Sequence, residues 1–189
     1  MELELALEEL SDKTLDIHKV QNIYELFTND KVLESKVAMN LSMKTSVYDK
    51  TLGFSETMVK LLEKLAFSES MEARWAVAKN PHTPVKTLEF LANDSINLVR
   101  ALVATNPNTP KEILTKFFND EKIVRDGLSG NPNTPLKYLN LLADDNDKMV
   151  RLRVCENPST SKEILTKLSN DTQPDVKIAS TKRLEKESV

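Results

Sequence analysis

The sequence predicts an all-α fold, an α-solenoid of stacked two-helix repeats. The pentapeptide Asn-Pro-x-Thr-Pro begins at Asn80, Asn106 and Asn131, and a copy that ends in serine begins at Asn157. The copies stand 25 or 26 residues apart, and a fixed period of this size is typical of proteins whose repeats stack on one another. The chain has only three glycines and short β-branched runs, which favours helices over strands.

The pentapeptide is predicted to end one helix and begin the next. The proline after each asparagine disfavours the α conformation at that asparagine, so the preceding helix ends there. The threonine is a good N-cap for the following helix, and the proline after it suits the first helical position. Glu112 and Glu163, each three residues after such a threonine, predict capping boxes. The predicted N-caps are Thr83, Thr109, Thr134 and Thr160.

An apolar stripe marks the first helix of each repeat. Two apolar side chains recur three residues apart, a spacing that places both on one face of a helix. The pairs are Leu88 and Leu91, Leu114 and Phe117, Leu139 and Leu142, and Leu165 and Leu168. These residues are therefore predicted to form the core.

Weaker echoes of the repeat extend to the N-terminus, so residues 1–189 are predicted to form one domain of about five repeats. Val37–Asn40 resembles Val103–Asn106, and the step from Asn40 to Asn80 exceeds one period by about 14 residues. This predicts an insertion, either on a binding face or as an embellishment of the cap. The predicted segments are an N-terminal cap (1–21), a degenerate repeat (22–40), the insertion (41–54), regular repeats (55–177) and a charged C-terminal end (178–189).

An arginine six residues before each asparagine is the most regular polar feature. Such a series is open to interpretation as a basic ladder for phosphate or for an acidic partner. At about 100° per residue, however, each arginine falls inside the apolar arc of its helix, and a partly buried arginine needs a partner. We therefore predict pairs within each repeat, between the second helix and the turn before it. The predicted ladder consists of Arg74, Arg100, Arg125 and Arg151, with Asp94, Asp120 and Asp145 upstream of the last three, Ser68 upstream of the first, and Lys177 after Asp171 at the end.

The combined pattern Val-Arg-x-x-Val-Ala-x-Asn-Pro-x-Thr-Pro-x-x-x-Leu-x-x-Leu-Ala-x-Asp, between about Leu62 and Lys177, resembles the leucine-rich repeat variant family, with an Asp and Arg spacing similar to HEAT repeats. The resemblance implies a right-handed superhelix of paired helices, one of each pair short or 3₁₀. The founding type of the family carries an iron–sulfur cluster on an N-terminal cysteine group. Such a cluster needs several thiolates, and this chain has only Cys155, in a small core position. No cofactor is therefore expected.

Other candidate chemistry is sparse. His18 and His82 have no partner at ligand spacing and are predicted to lie on the surface. The acidic run 144–147 lacks the glycine and the distal glutamate of a calcium loop, and helix capping explains it better. The sequence contains no phosphate-binding glycine loop and no nucleophile motif. No catalytic residue and no metal site are expected.

Composition narrows the setting of the protein. A net charge of −3 and a pI of about 5.6 argue against a nucleic-acid-binding domain, which is usually basic. One cysteine is typical of a reducing compartment, so a cytoplasmic location is expected. The N-terminus does not resemble a signal peptide, and no apolar run reaches the length of a membrane span.

Positions one, two and five after each arginine are predicted to face away from the core. Some of them are apolar, which predicts a groove for a partner, with tryptophan a typical anchor; the same face is equally suited to packing on a neighbouring repeat. The candidate partner-binding residues are Trp75, Lys79, Leu102, Leu152 and Arg153. Gly127 and Gly130 share one helix, so either that helix is short or another group approaches its backbone closely.

These features favour a non-enzymatic scaffold that binds a protein or peptide. A second hypothesis is a nucleic-acid-binding protein similar to the DNA glycosylases built from HEAT-like repeats, which requires a basic concave face and a carboxylate in an aromatic cleft. A third is an accessory subunit or a lyase-type enzyme of helical-repeat architecture, for which the sequence contains no motif.

Overall fold

The computed structural model describes residues 1–45 and 55–186, and every regular element in these ranges is helical. The all-α helical-repeat prediction is therefore confirmed. The chain divides into two compact units, residues 1–108 and 109–189. The first unit contains α1 (Leu3–Glu9), α2 (Ile17–Leu26), α3 (Lys31–Lys44), α4 (Glu56–Leu65), α5 (Met71–Lys79), α6 (Val85–Leu91) and α7 (Asn97–Thr105). The second contains α8 (Lys111–Leu114), a 3₁₀ helix (Thr115–Asn119), α9 (Lys122–Gly130), α10 (Leu136–Leu142), α11 (Lys148–Glu156), α12 (Lys162–Leu168) and α13 (Pro174–Lys186).

Second helices of successive repeats pack side by side within each unit. In the first unit α5 lies against both α3 and α7, and in the second unit α11 lies against both α9 and α13. The first helices cover them through the predicted leucine stripe, whose members are all buried. Full burial of one such side chain stabilises the fold by about 1.5–3 kcal/mol relative to exposure.

The first helix pair extends beyond residues 22–40, which were predicted to form a degenerate repeat. Helix α2 begins at Ile17 because Asp16 caps it, accepting hydrogen bonds from the backbone N–H groups of His18 and Lys19. Helix α3 continues to Lys44, since no proline follows Asn40 to stop it. This pair spans residues 17–44. The rest of the predicted insertion, residues 46–54, lies outside the described residues.

The pentapeptide ends a helix as predicted, but its threonine does not begin the next one. The Oγ1 atoms of Thr83, Thr134 and Thr160 donate hydrogen bonds of 2.6 Å to carbonyls six residues earlier, at the end of the preceding helix. The predicted threonine N-caps and capping boxes are therefore wrong. The N-cap position falls one residue later, at Pro84, Pro110, Pro135 and Ser161. The last carbonyls of a helix have no donor within that helix, and here the threonine hydroxyl donates a hydrogen bond to one of them.

The pentapeptide asparagine links one repeat to the next. Its Oδ1 accepts from the backbone N–H two residues later, as in the 2.8 Å bond from Ser159 to Asn157. Its Nδ2 donates to two carbonyls of the preceding repeat; for Asn157 these belong to Ser129 at 2.7 Å and Asn131 at 2.8 Å. At the C-terminal end, Arg183 takes this place and donates to the carbonyls of Cys155 and Asn157.

Asn80 departs from this rule. Its Nδ2 is buried and has no hydrogen-bond partner among the described residues. The preceding second helix, α3, does not end at Asn40 but runs on to Lys44, so the carbonyls near Asn40 are held inside a helix. The link between repeats is thus incomplete where the repeat pattern of the sequence is irregular.

Candidate binding site

The ladder arginines are paired across repeats. Arg125 Nε lies 2.6 Å from Asp145 Oδ2 and its Nη2 lies 3.1 Å from Oδ1, while its Nη1 donates to the Asp120 carbonyl at 2.8 Å. Arg151 binds the Asp171 carboxylate and the Asp145 carbonyl in the same way. The predicted carboxylate partner within the same repeat is therefore wrong.

The same geometry occurs in the first unit. Arg74 binds both carboxylate oxygens of Asp94, at 2.6 and 3.3 Å, and the carbonyl of Ser68 at 2.8 Å. Arg100 Nη1 donates to the Asp94 carbonyl at 2.7 Å. A guanidinium has five donors in a planar fork, so one arginine reaches a carboxylate of the next repeat and a carbonyl of its own.

The pairs in the second unit are shielded from solvent and electrostatically coupled. Arg151 and Asp171 have side chains only 13% and 7% exposed. The hydrogen bond from Arg151 lowers the pKa of Asp171 below its ordinary value. These groups are used in linking repeats.

The five predicted partner-binding residues do not form one set. Trp75 and Lys79 lie on α5, and Leu102 lies on α7. Trp75 is half-buried, and the Nζ atom of Lys79 lies 5.1 Å from its ring centroid. Leu152 and Arg153 lie on α11 in the second unit. Leu102 and Leu152 are half-buried and Arg153 is exposed.

Several positions that were predicted to face away from the core are buried. Ala76, Ala101 and Gly127 are buried, because each second helix packs against its neighbour along that flank. Helix α9 extends through Gly130, so its glycines do not mark a short helix. A Cβ at Gly130 would lie 2.9 Å from the Cδ atom of Arg153; the close approach predicted from glycine is made by this side chain.

An apolar groove of about 790 Å³ surrounds Trp75 in the first unit. Helices α3, α5 and α7 contribute to it, and its exposed apolar side chains include Val32, Met39 and Leu98. The full lining is Lys31, Val32, Ser35, Lys36, Met39, Glu69, Ser70, Met71, Glu72, Trp75 and Leu98. Of these residues, the sequence predicted only Trp75 to bind a partner. An apolar residue two positions before the ladder site, as at Val32 and Leu98, could also have indicated the groove.

The charged side chains at the groove rim differ in whether they form ion pairs. Glu69 pairs with Lys31 at 2.8 Å, and the Ser70 hydroxyl donates to Glu72 at 2.8 Å. Lys36, in the groove lining, and Lys79, beside the Trp75 ring, form no ion pair with any described residue. Among the described residues the rim therefore has two ammonium groups without an ion pair, Lys36 and Lys79, and one such carboxylate, Glu72.

The remaining chemical candidates have structural roles. His82 is buried, not on the surface as predicted. Asp147 caps α11 and Asp144 pairs with Lys167. Burial raises the pKa of Cys155 to about 11. Among the described residues, no three His, Cys, Asp or Glu side chains come together in a way that could hold a metal ion.

Comparison with known proteins supports the fold. No protein-family model matches the chain, and no curated protein matches it. A solved structure reported as a leucine-rich repeat variant with a novel repetitive structural motif aligns with 96% of this chain and 81% of its own, at 22% identity and a TM-score of 0.52. Similarity at this level concerns the fold alone. Separately, none of the helices within residues 1–45 and 55–186 has the length and apolarity needed to cross a membrane.

Proposed function

We propose that this protein is a non-enzymatic, cytoplasmic scaffold of the leucine-rich repeat variant family, and that its groove binds an amphipathic helix of a partner protein. The observation that carries the proposal is the apolar groove around Trp75, which is lined by the second helices of three successive repeats and has exposed apolar side chains from α3 and α7. Contiguous exposed apolar surface of this kind marks interaction sites. Tryptophan is the residue type most typical of interface hot spots.

The walls of the groove favour a helical ligand over an extended one. Binding of an extended strand needs an open sheet edge with free backbone groups, and the groove is walled by helices, whose backbone groups bond internally. A helix presents apolar side chains at positions i, i+3, i+4 and i+7 to such a groove. Met39 and Met71, both in the lining, are flexible side chains suited to packing against it.

The charges of the rim favour a partner with acidic flanks. Lys36 and Lys79 have no ion pair with a described residue, whereas of the two carboxylates Glu69 is paired with Lys31 and Glu72 bonds only the neutral Ser70 hydroxyl among the described residues, so positive charge is in excess. Charge complementarity at a rim mainly sets the association rate and the choice of partner. We therefore propose glutamate or aspartate residues beside the apolar anchors of the ligand.

A designed amphipathic peptide of about 18 residues, long enough to form a helix, tests the proposal. One version carries leucine anchors flanked by glutamates, and the matched version replaces the glutamates by lysines. Trp75 is the only tryptophan, so its fluorescence reports binding directly. We expect saturable binding of the glutamate version, accompanied by a blue shift, and weaker binding of the lysine version.

Two matched variants locate the binding site. Leu98 and Ile123 hold the same position in their repeats and are 41% and 42% exposed, but Ile123 does not line the groove. Loss of a buried leucine contact of about 1.5 kcal/mol corresponds to roughly tenfold in affinity. We expect Leu98→Ser to weaken peptide binding about tenfold and Ile123→Ser to leave it unchanged. Equal effects of the two substitutions, or preferential binding of a single-stranded oligonucleotide, would contradict the proposal.

A further inference from the structure

The first helix pair reverses the chemistry of the ladder. Six residues before Asn40, where the other repeats have arginine, the chain has Glu34. Opposite it, where the later repeats have the aspartate, the chain has Ser68, whose hydroxyl donates a hydrogen bond to Glu34 Oε2. Glu34 is only 7% exposed. This junction therefore holds a buried carboxylate at a position that elsewhere holds a guanidinium.

A polar pocket of about 400 Å³ opens beside this carboxylate. Tyr24 and Phe67 contribute aromatic walls, and Glu34 and Ser68 contribute oxygen atoms. The corresponding pocket in the second unit, of about 370 Å³, is lined by Arg125 and Asp145, whose side chains bind each other there. In the second unit the guanidinium of Arg125 binds the Asp145 carboxylate. Among the described residues, no arginine binds the Glu34 carboxylate.

We propose that the Glu34 pocket is a binding site for a guanidinium group, either the side chain of an arginine in a peptide or free arginine. Glu34 provides the charged acceptor, because a buried carboxylate binds a guanidinium through charge-assisted hydrogen bonds. The Tyr24 ring, which already lies near the ammonium of Lys64, suits a flat cation as well. The volume of the pocket admits an arginine side chain. This site adjoins the Trp75 groove, with which it shares Lys31 and Glu69 in its lining, but its chemistry is different and it does not depend on the proposed function.

The other charges at the pocket define its competitors. Lys31 is already paired with Glu69 at 2.8 Å. The Nζ atom of Lys64 lies 5.7 Å from the Tyr24 ring centroid, and Lys64 forms no ion pair with a described residue. Lys64 is therefore the internal cation that a ligand displaces from the aromatic face. A planar guanidinium, which binds a carboxylate through two parallel hydrogen bonds, is favoured over an ammonium.

Titration with Nα-acetyl-arginine amide, followed by NMR, tests the site. We expect saturable shifts at Tyr24 and Ser68, and weaker binding of the matching lysine amide. Glu34→Gln keeps the shape and an acceptor for Ser68 but removes the charge, and we expect it to weaken binding at least tenfold. Glu63→Gln is the control, since that exposed carboxylate lies on α4 outside the pocket lining, and we expect less than a twofold change.

Two further binding measurements do not require that Glu34→Gln folds. Lys64→Met removes the competing cation, and we expect tighter arginine binding; weaker binding would show that Lys64 does not compete for the site and would overturn the inference. Equal binding of the amide and of free arginine assigns the site to arginine side chains, and binding of free arginine alone assigns it to the amino acid. The absence of saturable shifts, or a preference for lysine, would also overturn it.

Discussion

The junction at Arg125 and the junction at Glu34 occupy the same place in two repeats but carry opposite charges. At the first, a guanidinium binds the carboxylate of Asp145 and the carbonyl of Asp120. At the second, a carboxylate accepts a hydrogen bond from the Ser68 hydroxyl and from no other group among the described residues. In the regular repeats the polar side chains are therefore used in holding neighbours together. Where the pattern is broken, a buried charge remains available to a ligand.

The inter-repeat asparagines show the same contrast. Asn157 caps two carbonyls of the preceding repeat, whereas the Nδ2 of Asn80 caps none among the described residues. Both of these irregularities, and the Trp75 groove, lie in the first unit. The region that departs most from the repeat thus holds the candidate binding sites, because its side chains are not all required by the stack.

The largest expected effect is loss of a regular junction. Arg151→Ala leaves the Asp171 carboxylate shielded and unpaired, and breaking such a pair costs about 3 kcal/mol. Urea denaturation measures this loss. Arg153→Ala in the same helix is the control: its side chain is 46% exposed, and loss of an exposed ion pair costs about 0.5 kcal/mol. If the two variants are equally stable, the ladder does not hold the repeats together.

The second effect compares two asparagines. Both Asn157 and Asn80 accept a backbone N–H through Oδ1, at 2.8 and 2.9 Å. Asn157 also donates to the preceding repeat, whereas Asn80 Nδ2 has no partner among the described residues. Leaving buried carbonyls unsatisfied costs about 1–3 kcal/mol. We expect Asn157→Ala to destabilise by about 2 kcal/mol more than Asn80→Ala. Thermal unfolding of the two variants measures this difference, and equal losses would refute the linking role of Nδ2.

The third effect converts the irregular junction into a regular one. Glu34→Arg combined with Ser68→Asp restores the ladder pair, and substitutions toward a repeat consensus typically stabilise by about 1 kcal/mol. Ser68→Asp alone brings a second carboxylate next to Glu34 and should destabilise. Chemical denaturation of both variants checks the signs. A double variant less stable than the parent would show that the two junctions differ in backbone and not only in charge.

The smallest effect is a dependence of stability on pH. The pKa of Asp171 is lowered in the folded state by the hydrogen bond from Arg151, so folding favours the ionised carboxylate. This stabilisation is complete above the ordinary pKa of 3.8 and is lost as the pH falls through the lower folded value. The free energy of unfolding measured between about pH 5 and pH 2 should decline less steeply in Asp171→Asn. An unchanged slope would mean that Asp171 does not contribute.

Several features of the sequence suffice to predict the helical repeats. The pentapeptide predicts helix ends because proline acts locally, and the leucine spacing predicts the buried face because helical phase is local as well. Local spacing does not predict which aspartate each ladder arginine binds. Asp145 lies six residues before Arg151 and 20 after Arg125, and local spacing favours the nearer arginine. The longer partnership exists only because successive repeats are stacked.

The sequence by itself determined the period, the helices and the residues of the core, since each depends on neighbours within one or two turns of chain. Tertiary structure alone decided which carboxylate each arginine binds, how Thr83 and Asn157 are used, and which side chains of α3, α5 and α7 form a groove around Trp75. These outcomes depend on distances between repeats, which side-by-side packing of the second helices sets. The pocket at Glu34 depends on both the sequence and the tertiary structure. The sequence places a carboxylate at the ladder position, and packing leaves space beside it.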